Sequence, residues 1–265
     1  MSSAAKGKLY LVPAPLDFGC TDDQQTLITD AIPSGTLQAA SQIKHWICEN
    51  AKSTRAVLKR IAEHHPLICT LQDMTITELP REAHKHGDHK AAQDNNAALR
   101  ALLDVALQGI DIGLMSEAGM PAIADPGSSI VRAAHALGLD VVPLVGPISL
   151  LLALAASGLN GQNFAFNGYL PQESAARKIR IQQLEKLALT SGQTQIFIET
   201  PYRNAALLAD MIATLQPISR LACSVGLNLP SAKTVSLLVK DWRIQKEVAD
   251  SLLTSKLPAI FSFGV

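Results

Sequence analysis

Two short turns hold most of the residues in this 265-residue chain that could do chemistry: Ser116-Glu117-Ala118-Gly119-Met120-Pro121 and Gly146-Pro147-Ile148-Ser149. Gly119 lacks a Cβ, so backbone can approach a ligand closely there. Glu117 beside it can accept hydrogen bonds from an amine or a ribose hydroxyl, as acidic residues do in nucleotide-type sites. Asp125, in Asp125-Pro126-Gly127, is read as the cap of the following helix rather than as a catalytic group. Neither turn matches a GxGxxG fingerprint or a GK[ST] loop, which suits a ligand held without a phosphate cradle. The segment His84–Lys90 brings three histidines and an aspartate within six positions. Its spacing fits no established zinc pattern and two lysines lie among the histidines, so it is read as a solvated loop and no metal is expected.

The elements that must position these turns are legible around them. Ile110–Met115 and Leu139–Leu144 are apolar, β-branched runs, each followed by a Gly/Pro turn and then a helical pattern. That alternation predicts βαβ units in a parallel sheet, with both turns at the carboxyl ends of strands, where such sheets bind ligands. Further strands are expected at Lys8–Val12, His45–Cys48, Leu67–Leu71, Asn163–Leu170, Gln195–Glu199, Leu221–Val225, Thr234–Val239 and Ala259–Phe263. Helices are expected at Ser53–Glu63, from Asn96 to a cap at Gly109, at Glu173–Leu189 with Arg177 on its polar side, and at Asn204–Leu215. Thr75–Asn96 reads as polar loop. The fold class is α/β, with two α/β domains, 1–145 and 146–265, and a cleft between them.

Composition narrows the function classes. Hydrophobic residues make up 48 % of the chain, enough for large cores, and 23 basic residues cancel 23 acidic ones. A globally electropositive nucleic-acid binder is thereby disfavoured, although a local basic patch is compatible with zero net charge. Cys20, Cys48, Cys69 and Cys223 are scattered, as reduced thiols of a cytoplasmic protein would be. The N-terminal MSSAAKGKLYLVPAPL has no secretory h-region, and the apolar stretch Ile148–Ala156 is too short to span a membrane.

The order of these motifs resembles the tetrapyrrole-methylase superfamily, and within it the branch typified by ribosomal RNA small subunit methyltransferase I. SEAGMPAIADPG (116–127) is similar to that branch's SDAGTPxxSDPG turn. VVPLVGPISLLLALAASGL (141–159) is similar to its PLPGPSA turn, and FAFNGYLP (164–171) to its FxGFLP segment. LYLVPAPL (9–16) and FIETPYR (197–203) extend the match over most of the chain. The resemblance implies a homodimeric methyltransferase that binds S-adenosylmethionine in the cleft between its domains. Carried over by position, Pro15, Ala118, Gly119, Met120 and Ile123 are the expected cofactor contacts of the first domain. Ser149 and Leu150 in the second turn, with Glu199 and Asn228 toward the adenine, are those of the second.

The chain departs from that branch on the side the resemblance gives to the methyl acceptor. APLDFG (14–19) stands where the branch has TPIGNL, and Glu49–Arg55 replaces its EDTR segment. ITELPREAH (76–84) stands in place of a HEHNE-like element. Glu49 and Arg55 are the candidate acceptor-side polar groups. The acceptor expected by resemblance is RNA at a ribose hydroxyl, with Lys44, Lys52, Arg55, Lys59 and Arg60 as a basic rim. The alternatives are a small or tetrapyrrole-like acceptor, or a cofactor-binding paralogue without activity.

Overall fold

The computed structural model describes residues 5–17, 20, 24–80, 96–252 and 257–265; the His84–Lys90 segment lies outside them. The chain separates into two compact units, Met1–Ile148 and Ser149–Val265.

The first unit is built on five parallel strands: β1 (Leu9–Leu11), β2 (His45–Cys48), β3 (Thr75–Glu78), β4 (Ile112–Met115) and β5 (Val141–Pro143). Their spatial order is β3-β2-β4-β1-β5. β4 is buried at every position, as a central parallel strand covered on both faces should be. Its register is Trp46↔Gly113↔Tyr10 across the sheet centre. A Cβ on Gly113 would stand 2.5 Å from the Trp46 ring, so this glycine is what lets the indole lie across the strand. The indole N–H donates to the Ile43 carbonyl at 3.0 Å and is not left unpaired in the core.

Helices α1 (Ile28–Ala31), α2 (Ser34–Ser41) and α3 (Ala51–Ala62) cover one face, packing Ile32, Leu37, Leu58 and Ile61 with Val12, Trp46 and Met115. Helices α4 (Asn96–Ala101) and α5 (Ser128–Ala136) cover the other, packing Leu99, Ile130 and Ala134 with Leu9, Ile47 and Leu114. α3 begins at Asn50, whose side chain accepts from the Lys52 and Ser53 amides, and its apolar face repeats at helical spacing.

Three expectations are corrected here. Leu67–Leu71 forms no strand. The strand is Thr75–Glu78, within the stretch read as loop; it is mostly exposed because it is an edge, and its pairing with β2 rather than burial defines it. The helix from Asn96 stops at Ala101, and the chain reaches Gly109 through turns and a 3-10 segment at Ala106–Gln108. The Ala106 carbonyl there accepts from the Gly7 amide at 2.8 Å, a tertiary bond that periodicity does not reveal.

The second unit has α6 (Ser149–Ser157), β6 (Phe164–Phe166), α7 (Ser174–Ser191), β7 (Thr194–Glu199), α8 (Asn204–Thr214), β8 (Arg220–Val225), β9 (Lys233–Leu238), α9 (Val239–Ile244), α10 (Lys246–Leu252) and β10 (Ala259–Gly264). The sheet order is β6-β7-β10-β8-β9, antiparallel except for the β6–β7 pair. α6 packs on β8, β9 and β10. The main core joins α7 and α8 to Phe197, Phe261, Phe263 and Trp242, with Phe197 and Phe263 stacked at 5.3 Å. Arg177, expected on the polar side of α7, is buried instead and pairs with Asp210 of α8. Burial pushes the Asp210 carboxyl up, but Arg177 and the Ser174 hydroxyl outweigh it and hold the group below the usual range. No helix among the described residues is long and apolar enough to cross a membrane.

Candidate functional site

In the first unit, the connection from β1 leads toward β2 and β3, and that from β4 leads the other way, to β5. β1 and β4 are neighbours, so their carboxyl ends form the point where the winding direction reverses, the place where open α/β sheets bind ligands. Both expected turns, and the one after β1, are found at this edge.

The three turns touch one another. Ala14 and Gly119 form an isolated antiparallel bridge, with Ala14 N–H donating to the Gly119 carbonyl and Gly119 N–H to the Ala14 carbonyl, each at 2.9 Å. Gly119 has φ +72°, a conformation that favours glycine. Its absent Cβ would stand 3.3 Å from Leu16 and 3.6 Å from the Pro147 carbonyl oxygen. Gly146 lies against Pro13 so closely that a Cβ would fall 2.2 Å from the ring. Beyond Gly119, Ala122 and Ala124 hold φ +67° and +64° on either side of Ile123. Two adjacent-but-one non-glycine residues in that region mark a strained turn, of a kind that clusters at ligand sites.

Pro15, Gly119 and Met120 are buried at this edge, Ala118 is half-buried, and Ile123 is exposed. Met120 and Ile123 line an apolar cavity of about 460 Å³ with Leu11, Pro143, Ile148 and Arg132. In the second unit, Ser149 opens α6 and Leu150 is buried in it. Glu199 ends β7, its Oε1 accepting from the Thr200 amide at 2.6 Å and from Arg203 Nε at 3.0 Å and Nη2 at 2.6 Å. Asn228 has φ +69° in the turn after β8. The helix that Asp125 is expected to cap begins two residues later, with Gly127 at the cap position and φ +135°.

Asp125 has another character. Burial, with repulsion from Glu49 and then Glu117, pushes its carboxyl up to about 7. Glu49 Oε2 accepts from the Glu117 amide at 3.3 Å, tying the ends of β2 and β4 together. Glu49 thus belongs to this edge, whereas Arg55 is exposed on α3 with Nη1 turned to the Ala51 carbonyl. Of the expected basic rim, Lys44 precedes β2 and so lies at the opposite edge of the sheet. Arg60 is not a free cation: Nη1 donates to Asp17 Oδ1 at 3.0 Å and Nη2 to the Thr26 carbonyl at 2.8 Å. Asp17 is not a candidate from the sequence, since forty-three positions separate it from Arg60. In the sequence Asp17 shows only as an acid two residues after Pro15, and its burial and its partner emerge in the fold.

A family model described as tetrapyrrole (corrin/porphyrin) methylases matches residues 35–238. A Vibrio cholerae protein named ribosomal RNA small subunit methyltransferase I is 39% identical over 132 residues, 50% of this chain and 42% of its own length. The protein of that name from Halalkalibacterium halodurans is 34% identical over 210 residues, covering 79% and 61%. That from Escherichia coli is 31% identical over 211 residues, covering 80% and 62%. The chain spans less than two thirds of the length of each of these relatives. Among solved structures, uroporphyrin III C-methyltransferase from Thermus thermophilus superposes with a TM-score of 0.52 at 14% identity, covering 97% of both chains. A cobalt precorrin-4 methyltransferase, CbiF, superposes with a TM-score of 0.52 at 14% identity, covering 97% of this chain and 94% of that one. At that identity the likeness is one of fold.

Proposed function

Because the chain belongs to the tetrapyrrole (corrin/porphyrin) methylase family, we propose that it is an S-adenosylmethionine-dependent methyltransferase that acts on RNA. The observation that carries this reading is the junction of the three turns at the reversal point of the parallel sheet, centred on Gly119. The residues there fit the donor: positive φ and a missing Cβ bring backbone to the surface of the turn. Met120 and Ile123 offer apolar contact, and the carboxylates of Glu49, Glu117 and Asp125 suit a ligand carrying positive charge. In this reading Pro15, Ala118, Gly119, Met120 and Ile123 hold the donor from the first unit. Ser149, Leu150, Glu199 and Asn228 are the contacts assigned to the second.

When bound, S-adenosylmethionine supplies the methyl group and carries its own leaving group. The protein's part is to align an acceptor with it and to exclude water. A hydroxyl acceptor must also lose a proton. Asp125, poised near neutrality, is the group at this edge that can both take one up and release it at pH 7. RNA as the acceptor rests on the names of the relatives, and a ribose hydroxyl on the resemblance of the motifs. The same resemblance supports a homodimer as the working form, and an RNA acceptor fits a protein of the cytoplasm.

The test is transfer of tritium-labelled methyl from S-adenosylmethionine to small ribosomal subunits of a strain lacking this protein. Label in RNA, resistant to alkaline cleavage at one position, is the expected result. Binding of S-adenosylhomocysteine without transfer to RNA would move the acceptor elsewhere; no binding would remove the reading altogether.

A further inference from the structure

Among the described residues, two cavities at the carboxyl edge of the first unit's sheet differ in chemistry. The one walled by Met120 and Ile123 is apolar apart from Ser128 and Arg132. The other, of about 450 Å³, lies where the carboxyl ends of β2 and β4 meet α3 and the chain after β1. Its floor is Ala56 and Val57 on α3; around it stand Gln25, Asn50, Ser53, Lys52, Glu117 and the Asp17–Arg60 pair.

The charges in this second cavity cancel. Asp17 is buried and meets Arg60 through both carboxylate oxygens, one by a hydrogen bond and the other at 3.0 Å. Lys52 and Glu117 are one cation and one anion on the same lining. A phosphate entering here would find the Arg60 guanidinium already engaged by Asp17 and the Thr26 carbonyl. A ligand bearing several carboxylates would meet Asp17 and Glu117. A neutral group with donors and acceptors on its edge would meet the Gln25 and Asn50 amides over an apolar floor, the lining expected of a pocket that fixes orientation by a few polar contacts. Gln25 is held in place by a bond from its Nε2 to the Cys20 carbonyl, and Asn50 by bonds to its Oδ1 from the Lys52 and Ser53 backbone amides.

The position matters as much as the lining. Glu117 adjoins Ala118 and Gly119, so whatever fills this cavity lies against the turn that holds the donor in the reading above. Arg60 acts from a distance: by gripping Asp17 and the Thr26 carbonyl, it fastens residues 17 and 26 to α3 and so fixes one wall. Asp17 belongs to APLDFG, one of the segments in which this chain departs from the branch it resembles.

We propose that this charge-balanced cavity seats the neutral heterocyclic base of the RNA acceptor, and that Arg60 is the positioning residue that holds its wall. The proposal rests on the RNA methyltransferase reading and adds the chemistry of the group bound next to the reacting position.

Cytidine, uridine and guanosine are the probes, added singly to the full chain saturated with S-adenosylhomocysteine, with binding followed by saturation-transfer NMR and titration. At least one is expected to bind, and its 5′-monophosphate to bind no more than about twofold tighter. Ala56→Phe, on the exposed face of α3, should fill the floor and weaken the nucleoside at least tenfold while leaving S-adenosylhomocysteine affinity within twofold. Arg60→Met should do the same, and Arg60→Lys, which keeps the charge, should restore part of the loss. A purely structural role for Arg60 would instead lower nucleoside and S-adenosylhomocysteine affinity together. Nucleoside binding indifferent to Ala56→Phe, absence of binding by all three nucleosides, or uroporphyrin III competing for the cavity would each overturn the proposal. Loss of S-adenosylhomocysteine binding by the wild-type chain would instead undo the methyltransferase reading beneath it.

Discussion

Ala14 and Gly119 are bound to each other by two reciprocal backbone hydrogen bonds of 2.9 Å, although more than a hundred residues separate them. The bridge forms beyond the last residues of β1 and β4, where the parallel ladder has ended, and it runs antiparallel. It locks the turn after β1 to the turn after β4 and fixes Gly119 at φ +72°.

Gly119→Val is therefore expected to abolish measurable binding of S-adenosylmethionine. A side chain at that φ costs about 1–2 kcal/mol of backbone strain, and its branches would crowd Leu16 and the Pro147 carbonyl. Calorimetry with S-adenosylhomocysteine on the folded variant checks this. An unchanged affinity would mean that the donor binds elsewhere.

Gly146→Ala tests the packing of the neighbouring turn. Its methyl would overlap Pro13, with both Cγ and Cβ of the ring inside 2.6 Å, and neither a proline nor a strand end can yield easily. Overpacking of this kind costs about 1–3 kcal/mol. Urea unfolding should show a lower midpoint with an unchanged slope.

Asp125→Asn should change how stability depends on pH. The carboxyl is raised from an ordinary 3.8 to about 7, so it is still protonated in the folded chain where the unfolded chain has ionised. Folding then takes up a proton, and stability falls as pH rises through that window. The variant removes this burden, so its melting temperature should exceed the wild type's by more at pH 8 than at pH 5. An equal difference at both values would show that Asp125 ionises normally. In the proposed reaction the same substitution should also flatten the acid limb of the pH–rate profile.

Asp210→Ala should destabilise the second unit strongly. It leaves the buried Arg177 guanidinium with the Pro171 and Gln172 carbonyls but no counter-charge, and breaking one partner of a buried pair costs up to about 3–5 kcal/mol. The double variant Arg177→Met with Asp210→Leu should lose much less, because no buried charge is left over. Chemical denaturation of the three proteins compares them directly.

Much of the framework was legible along the chain because it depends on local pattern. His45–Cys48, Ala259–Phe263 and the helix at Asn204–Leu215 were readable from short apolar runs and helical spacing, and the structure places elements there with ends shifted by at most a residue. Thr75–Glu78 is short and sits at the sheet edge, where only Ile76 turns toward the core, so its brief apolar alternation is lost in the polar stretch that follows. Arg177 was misassigned for a related reason: a cation inside a helix reads as solvent-facing until its partner on another helix is known. The motifs in order pointed to the family, and the family model matched most of the chain.

What the sequence by itself determined was the set of turns and the strands that carry them, because turn chemistry and periodicity act over a few residues. Only the tertiary structure decided which groups meet. It joined Ala14 to Gly119, set Pro13 against Gly146, drew Glu49 and Glu117 toward Asp125, and spent Arg60 on Asp17 rather than leaving it at a basic rim. Those pairings follow from strand order, since β4 inserts beside β1 and β2 only once the chain has folded back. The charge state of a group depends on such neighbours and on burial, and neither is a property of its place in the chain.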